Sequence, residues 1–293
     1  MKKALFIYNP RSGSGNVAGR LDYVIGRFMK NGMIAVPYRF DGASAEGLSS
    51  ELAGGGYSLA VVSGGDGTVN AAANAVLKSG LKIPLGVIPS GTCNDFARSL
   101  NIPSDLRRCL DVVLAGKTAD IDAGLINGGT YFLNTCAGGN FVDASYNTSS
   151  DLKRNIGPLA YYMKALGEMT ALKPVNLKIT TDDGTIEQEF FFFLILNGRH
   201  AAGFSNVIQA ADLSDGYMDM LLLRSCPPIE LAGLFFKVLG NEYLNDRNVM
   251  WLRTRECRIE GSAGFSISVD GEKWNTLPIN ISFINKILKV FVK

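Results

Sequence analysis

Hydrophobic and polar positions along the first 120 residues form a repeating pattern of short apolar runs and longer mixed stretches. The runs at 4–9, 34–40, 59–62 and 83–88 read as strands. Between them, 21–29 has an amphipathic spacing, 44–53 looks helical with Ser44 as its N-cap, and 69–77 is rich in Ala. Residues 93–100 and 106–114 read as two more helices. Strands and helices in alternation predict a parallel α/β layer domain.

Past Asp122 the pattern changes. Short β-like runs follow one another at 130–135, 176–181, 188–196, 218–223, 256–259, 265–269 and 287–292. Turn signals separate them: DDG at 182–184, SDG at 214–216 and DGE at 270–272. That series predicts an antiparallel sandwich or barrel. Two helical stretches, 159–172 and 229–244, interrupt it. The expected boundary lies near residue 122, giving domains 1–122 and 123–293. The final strand either stays in the second domain or crosses back to the first, and the pattern leaves both open.

Composition narrows the function classes. The 293 residues suffice for one large domain or two ordinary ones. A net charge of +2 does not point to nucleic acid. No apolar run reaches the ~18 residues of a membrane span. The N-terminus, Met1-Lys2-Lys3 and then an apolar stretch, begins like a signal peptide, but Asn9-Pro10-Arg11 interrupts it at once. Five scattered Cys, without CxxC spacing, predict reduced thiols, a cytosolic setting and no zinc site.

The chemistry concentrates in Gly-rich turns. Ser63 to Asn70 reads SGGDGTVN, directly after a strand and opening a helix. Such a turn offers backbone N–H groups at the positive end of a helix, a place that favours phosphate. A tight turn with Asp66 as a helix cap would explain one glycine, but not three around a single carboxylate. A carboxylate beside a phosphate calls for Mg²⁺ between them. Asn9 to Gly15 (NPRSGSG) and Pro89 to Ala97 (PSGTCNDFA) share this composition, and each follows a strand-like run. In a parallel sheet all three turns lie at the carboxyl edge, where open α/β sheets bind ligands. Together they predict a phosphorylated ligand.

NPRSG, SGGDGTVN and PSGTCNDFA, in this order and spacing, resemble the diacylglycerol kinase catalytic domain, and most closely the bacterial soluble lipid kinases of that type. The resemblance extends along the chain through Asp120 to Gly124, Phe132 to Asn134, Leu213 to Gly216 and Val269 to Glu272. Similar GGDGT turns occur in NAD kinases and phosphofructokinases, whereas SGT-x-NDFA favours lipid kinases. Cys93 stands where the family more often has Ala or Gly, and Phe40-Asp41 where it more often has Thr.

The resemblance implies an α/β nucleotide-binding domain followed by a β-sandwich domain that takes a lipid acceptor. It assigns ATP contacts to Asn9, Gly64, Gly65, Asp66, Gly67, Thr68, Asn70 and Thr92. It assigns catalysis to Asp66, Asp122 and Glu272, with Glu272 or Asp66 as the base. It places a structural Mg²⁺ at the 213–216 turn, on the Asp215 side chain and the carbonyls of Asp212 and Tyr217, where a plain hairpin turn is the other reading. The single His, His200, has no evident catalytic role. The implied reaction transfers the γ-phosphoryl group of ATP to a lipid hydroxyl, with diacylglycerol as the default acceptor. The alternatives are a polar-acceptor kinase of the NAD kinase type and an inactive nucleotide sensor. The implied setting is cytoplasmic with transient contact at a membrane surface; a homodimer is left open. Lys153, Arg154, Lys164 and Lys173 flank the apolar stretch at 159–172 and would suit anionic lipid, although a solvated helix face accounts for them equally.

Overall fold

The structure, a computed structural model, describes residues 1–12, 17–42, 45–139, 173–201, 203–239, 242–262, 265–274 and 277–293. The chain divides into two compact units. One holds Met1–Asn134, Asn197–Gly216 and Phe283–Lys293; the other holds Thr135–Leu196 and Tyr217–Ser282.

In the first unit, β1 (Lys2–Tyr8), β2 (Met33–Arg39), β3 (Leu59–Gly64) and β4 (Leu85–Pro89) run parallel in the order β2-β1-β3-β4. The end of β15 (Ile279–Phe291) adds beside β4, with Val290 opposite Leu85. Helices α1 (Leu21–Lys30), α2 (Ala45–Gly55), α3 (Asp66–Lys78), α4 (Asp95–Ser99) and α5 (Leu106–Ala115) lie between and after the parallel strands.

Successive residues of a strand point to opposite faces, so each strand feeds two cores. Leu5 and Ile7 of β1, with Ala60 and Val62 of β3, pack against Leu48 and Leu52 of α2 and Val69, Ala72 and Val76 of α3. Ala4 and Phe6, with Leu59 and Val61, pack against Val24 and Phe28 of α1 and Leu110 and Val113 of α5. The result is a three-layer α/β unit. All six residues of β3 are buried, which is why its sequence shows an unbroken apolar run and not an alternation.

Two helices of the first unit differ most from their expected spans. The helix expected from residue 69 begins at Asp66, so Gly65 alone separates it from β3. Its first turn is Asp66-Gly67-Thr68, which carries no apolar side chain for a periodicity to reveal. The helix expected over 93–100 shrinks to α4, because Asn94 takes a left-handed φ of 51° just before it.

The second unit is antiparallel throughout its described ladders. It contains β7 (Thr135–Gly139), β8 (Val175–Thr181), β9 (Gly184–Leu196), β10 (Met218–Arg224), β11 (Val249–Thr254), β12 (Glu256–Gly261), β13 (Ile267–Val269) and β14 (Glu272–Trp274). Residues 279–282 of β15 pair with β12. The long β9 pairs along its first half with β8 and along its second with β7, while β10 takes its other edge. Leu177 and Ile179 of β8, Ile259 of β12 and Ile279 and Ile281 of β15 are buried on one side. On the second face of β9 and β10, helix α6 (Pro228–Leu239) sets Leu231 and Leu234 against Phe191 and Leu223.

The boundary expected near residue 122 falls inside β5 (Thr118–Ile126), and the first unit runs on to Asn134. The reason is that β5 pairs antiparallel with β6 (Thr130–Phe132) while remaining part of the first unit. The change in pattern marks the first hairpin, not the point where the chain leaves the unit. Residues 197–216 and 283–293 also return to the first unit, which a single cut cannot express. Strands β5, β11 and β14 and most of β7 were not expected; the helix expected to reach 244 is described to Leu239, residues 240–241 lie outside the described residues, and Tyr243–Asn245 is a separate 3-10 turn. Ser44, the 159–172 stretch and Lys153, Arg154 and Lys164 lie outside the described residues. Among the described residues, no helix is long and apolar enough to cross a membrane.

Helix α5 has a side-chain cap that can be tested. Asp105 accepts a hydrogen bond from the Arg108 N–H at 3.0 Å. Asp105→Ala removes it and should lower stability by about 1 kcal/mol, read as a lower denaturant midpoint with an unchanged slope.

Candidate active site

The three turns leave the sheet side by side, the first described only as far as Ser12, with Gly13 and Gly15 outside the described residues. Tyr8 of β1 is level with Ser63 of β3, and Gly64 of β3 with Pro89 of β4. The turns after these strands therefore share the carboxyl edge. Hydrogen bonds tie them together. The Asn9 N–H donates to Ser63 O at 3.0 Å, and the Asn9 amide donates to Thr68 Oγ1 at 3.1 Å. The Ser90 N–H donates to Gly64 O at 2.9 Å.

Glycine is required where two of these turns meet. A Cβ on Gly91 would lie 2.5 Å from Gly65 Cα, and one on Gly65 would lie 3.2 Å from Gly91 Cα. The two backbones touch, and no side chain fits between them. Asn94 closes the Gly91 turn from within: its Oδ1 accepts from the Gly91 N–H and its Nδ2 donates to Gly91 O, both at 2.8 Å. Thr92 is exposed at the tip of this turn.

Asp66 is the first residue of α3 and half-buried. Its carboxylate faces the amide end of α4, and Phe96 N–H donates to Oδ1 at 3.4 Å. Burial pushes its carboxyl above the usual carboxylate range, while the amides of Phe96, Asn94 and Asp95 pull it down without winning. Asn70, one turn further along α3, binds the Tyr131 carbonyl at 3.0 Å and accepts from Asn74 at 3.0 Å. Its amide thereby ties α3 to β6.

A second carboxylate organises another turn of the same unit. Asp122 has no exposed surface. Its Oδ2 accepts from the Gly216 N–H at 2.6 Å, and its Oδ1 from the Lys286 N–H at 2.6 Å and Asn285 Nδ2 at 2.9 Å. Burial pushes its carboxyl up, the Lys286 and Gly216 amides pull it down, and the nearby Asp215 charge adds to the upward push. In the 213–216 turn, Asp212 spends its Oδ1 on the Ser214 N–H and hydroxyl at 2.9 and 2.8 Å. Asp215 is half-buried. Tyr217 opens the second unit, where Arg253 and Arg255 flank its ring at 5.0 and 4.6 Å.

Glu272 belongs to the second unit. It is the first residue of β14, opposite Val269 across a two-residue turn. Asp270 and Gly271 fill that turn at φ 47° and 86°, the primed geometry that DG favours. Asp270 is buried and anchors the hairpin, exchanging hydrogen bonds with Thr135 at 2.8 Å in both directions. Glu272 itself is exposed.

Comparison with known proteins bears on this arrangement. The diacylglycerol kinase catalytic domain matches residues 3–126, and the YegS C-terminal NAD kinase beta sandwich-like domain matches residues 138–292. A diacylglycerol kinase of Staphylococcus carnosus is 31% identical over 291 residues, covering 99% of this chain and 95% of that protein. One from Staphylococcus epidermidis is 32% identical over 291 residues, covering 99% and 92%. The chain belongs to the diacylglycerol kinase family.

It is an ATP-dependent kinase, and at the level the relatives support, a lipid kinase. Its fold agrees with solved structures. A putative diacylglycerol kinase from Bacillus anthracis superimposes with a TM-score of 0.83 at 21% identity, covering 100% of this chain and 95% of that one. A second Bacillus anthracis diacylglycerol kinase gives 0.80 at 22%, covering 100% and 97%.

Several residues that hold these turns in place were not singled out from the sequence. Asn94 and Asp95 lie inside the quoted NDFA motif, but their roles depend on backbone partners that no spacing reveals. Asn197 donates to the carbonyls of Asp122 and Leu133 at 2.9 and 2.8 Å, fixing the return of the chain after β9. Its signal was a polar NGR directly after an apolar strand.

Asp66 gives a pH-dependent test. Its carboxyl is raised in the folded state, so its ionisation opposes folding. That penalty is absent below the unfolded carboxylate value of about 4 and grows as pH rises through the raised value. Asp66→Asn keeps an acceptor for the α4 amides and removes the charge. It should raise Tm at neutral pH, with the gain vanishing in acid, while turnover is lost. Thermal melts of both proteins from acid to neutral pH check this.

Proposed function

We propose that this kinase transfers the γ-phosphoryl group of ATP to the free hydroxyl of diacylglycerol, giving phosphatidic acid. The observation that carries the nucleotide half is the bare contact of the Gly65 and Gly91 turns beside the half-buried Asp66. Backbone amides at such an edge suit phosphate oxygens. The choice of diacylglycerol follows the names of the relatives.

Phosphoryl transfer asks for positioning, charge neutralisation and a group to take the acceptor's proton. Asn9, Gly64, Gly65, Gly67, Thr68 and Thr92 form the nucleotide edge. Asn70 supports it indirectly by holding α3 to β6. Glu272, exposed at the start of a strand, takes the proton from the lipid hydroxyl. We assign Asp122 a positioning role in place of the catalytic one that the resemblance implies. A carboxylate with no exposed surface and three N–H donors is committed to its turn.

Mg²⁺ fits the oxygen donors available. Among the described residues, no group of three or more His, Cys, Asp or Glu side chains could hold a metal. A site for Mg²⁺ built from the described residues would combine one or two carboxylates with carbonyls, water or phosphate, as this ion commonly does. Asp66 would hold it beside the phosphates. Asp215, with the carbonyls of Asp212 and Tyr217, would hold it at the 213–216 turn. When bound beside ATP, the ion neutralises charge on the transferred group.

ATP consumption in mixed micelles with a panel of lipids tests the acceptor, with NAD as the polar control. Diacylglycerol should support the highest rate, and a preference for NAD would overturn the lipid assignment. Glu272→Gln tests the base. It should lower kcat by roughly 10²–10⁴-fold with little change in KM for ATP. Collapse of ATP affinity with kcat preserved would instead make Glu272 a nucleotide or metal ligand.

A further inference from the structure

After β9 the chain returns to the first unit, and residues 197–216 stay there. Part of this return is held by a backbone bridge. Ala201 and Phe204 exchange backbone hydrogen bonds at 3.2 and 2.8 Å. The base of this segment is pinned: Asn134 Nδ2 donates to His200 O at 2.9 Å, Val207 N–H to Arg199 O at 2.8 Å, and Arg199 Nε to Ala211 O at 3.0 Å. At its tip, Gly203 has a φ of +85°, and a Cβ there would lie 3.7 Å from Cys93 Sγ. The tip therefore lies against the turn that contains Gly91.

Helix α4 grips this tip by both its backbone groups. The Gly203 N–H donates to both oxygens of Asp95, at 3.2 and 3.1 Å, and the Asp95 side chain is almost fully buried. Arg98 donates through Nη1 to the Gly203 carbonyl at 3.0 Å and through Nη2 to Ser205 Oγ at 2.5 Å. The same Nη1 lies 3.4 Å from Asp95 Oδ1.

The grip matters because α4 has only five residues. A helix that short has no stability of its own. Its direction comes from what holds its ends. Asp66 holds the amide end, and Gly203 and Ser205 hold the other side through Arg98 and Asp95. The Gly91 turn runs directly into α4 through Asn94, so the tilt of α4 sets where the Gly91 amide and Thr92 point.

We propose that residues 200, 201 and 203–205 serve as a strap that positions the third Gly-rich turn for ATP, and that Arg98 is the positioning residue through which it acts. The strap rests on the nucleotide reading of the turns. Arg98 is assigned a role through the strap and no contact with ATP or acceptor. Its planar fork spans Gly203 and Ser205 at once, which a lysine cannot reproduce.

The test is equilibrium binding of ATP by calorimetry to the full chain, alongside KM for ATP, KM for diacylglycerol, kcat and Tm. For Arg98→Ala, Kd and KM for ATP should rise roughly ten- to a hundredfold, the range set by losing charge-assisted hydrogen bonds. KM for the lipid should stay put, and millimolar guanidinium should restore part of the ATP affinity. Should Arg98→Ala fail to fold, Arg98→Lys and Ser205→Ala should still weaken ATP binding in the same direction. Variants that bind ATP like the wild type and lose only Tm or kcat would overturn the strap, leaving the nucleotide reading intact. A wild type that binds no ATP would overturn that reading and the strap with it.

Discussion

The backbones of Gly65 and Gly91 meet with nothing between them, and much of the candidate site depends on that contact. It lets the turn after β3 and the turn after β4 present one surface of backbone groups. A larger residue at Gly91 would force the two turns apart, and one at Gly65 would press tightly on Gly91 Cα. The level ends of β1, β3 and β4 bring the turns within reach, and the Ser90–Gly64 and Asn9–Thr68 bonds lock them. The glycines are thus explained by proximity in the fold, which adds to the flexibility that glycine always offers.

Two carboxylates do related work in the first unit. Asp66 holds the amide end of α4, and Asp122 holds the 213–216 turn and the start of the returning C-terminal segment. Both are raised by burial, so each is held at some expense of stability near neutral pH. The difference lies in access. Asp66 is half-buried beside the Gly-rich surface, while Asp122 is sealed by its donors. The same residue type therefore lies at an accessible edge in one place and inside a scaffold in the other. Asp270 repeats the scaffold role in the second unit, leaving Glu272 as the exposed carboxylate of its motif.

The layers were legible in the sequence because apolar runs and amphipathic stretches report burial directly. β3 is the clearest case, with every residue inside. The Gly-rich turns were legible because their composition is unusual and occurs three times. The units' true limits were not. A first unit assembled from three separate segments has no mark in a linear pattern, and the hairpin of β5 and β6 looks like the sandwich that follows it. The strap was also hidden. Its partners are backbone groups of Gly203 and a serine hydroxyl, which resemble any polar loop in sequence. Burial of Asp122 could not be read either, since its donors come from residues more than 90 positions away.

Hydrogen exchange measured with and without ATP tests most directly whether the paired Gly-rich turns bind the nucleotide. The account predicts that ATP slows exchange together in the peptides covering residues 64–68 and 90–93, while the β8–β12 ladder of the second unit is unchanged. Protection confined to the second unit, or none at either turn under conditions where the enzyme turns over, would contradict it.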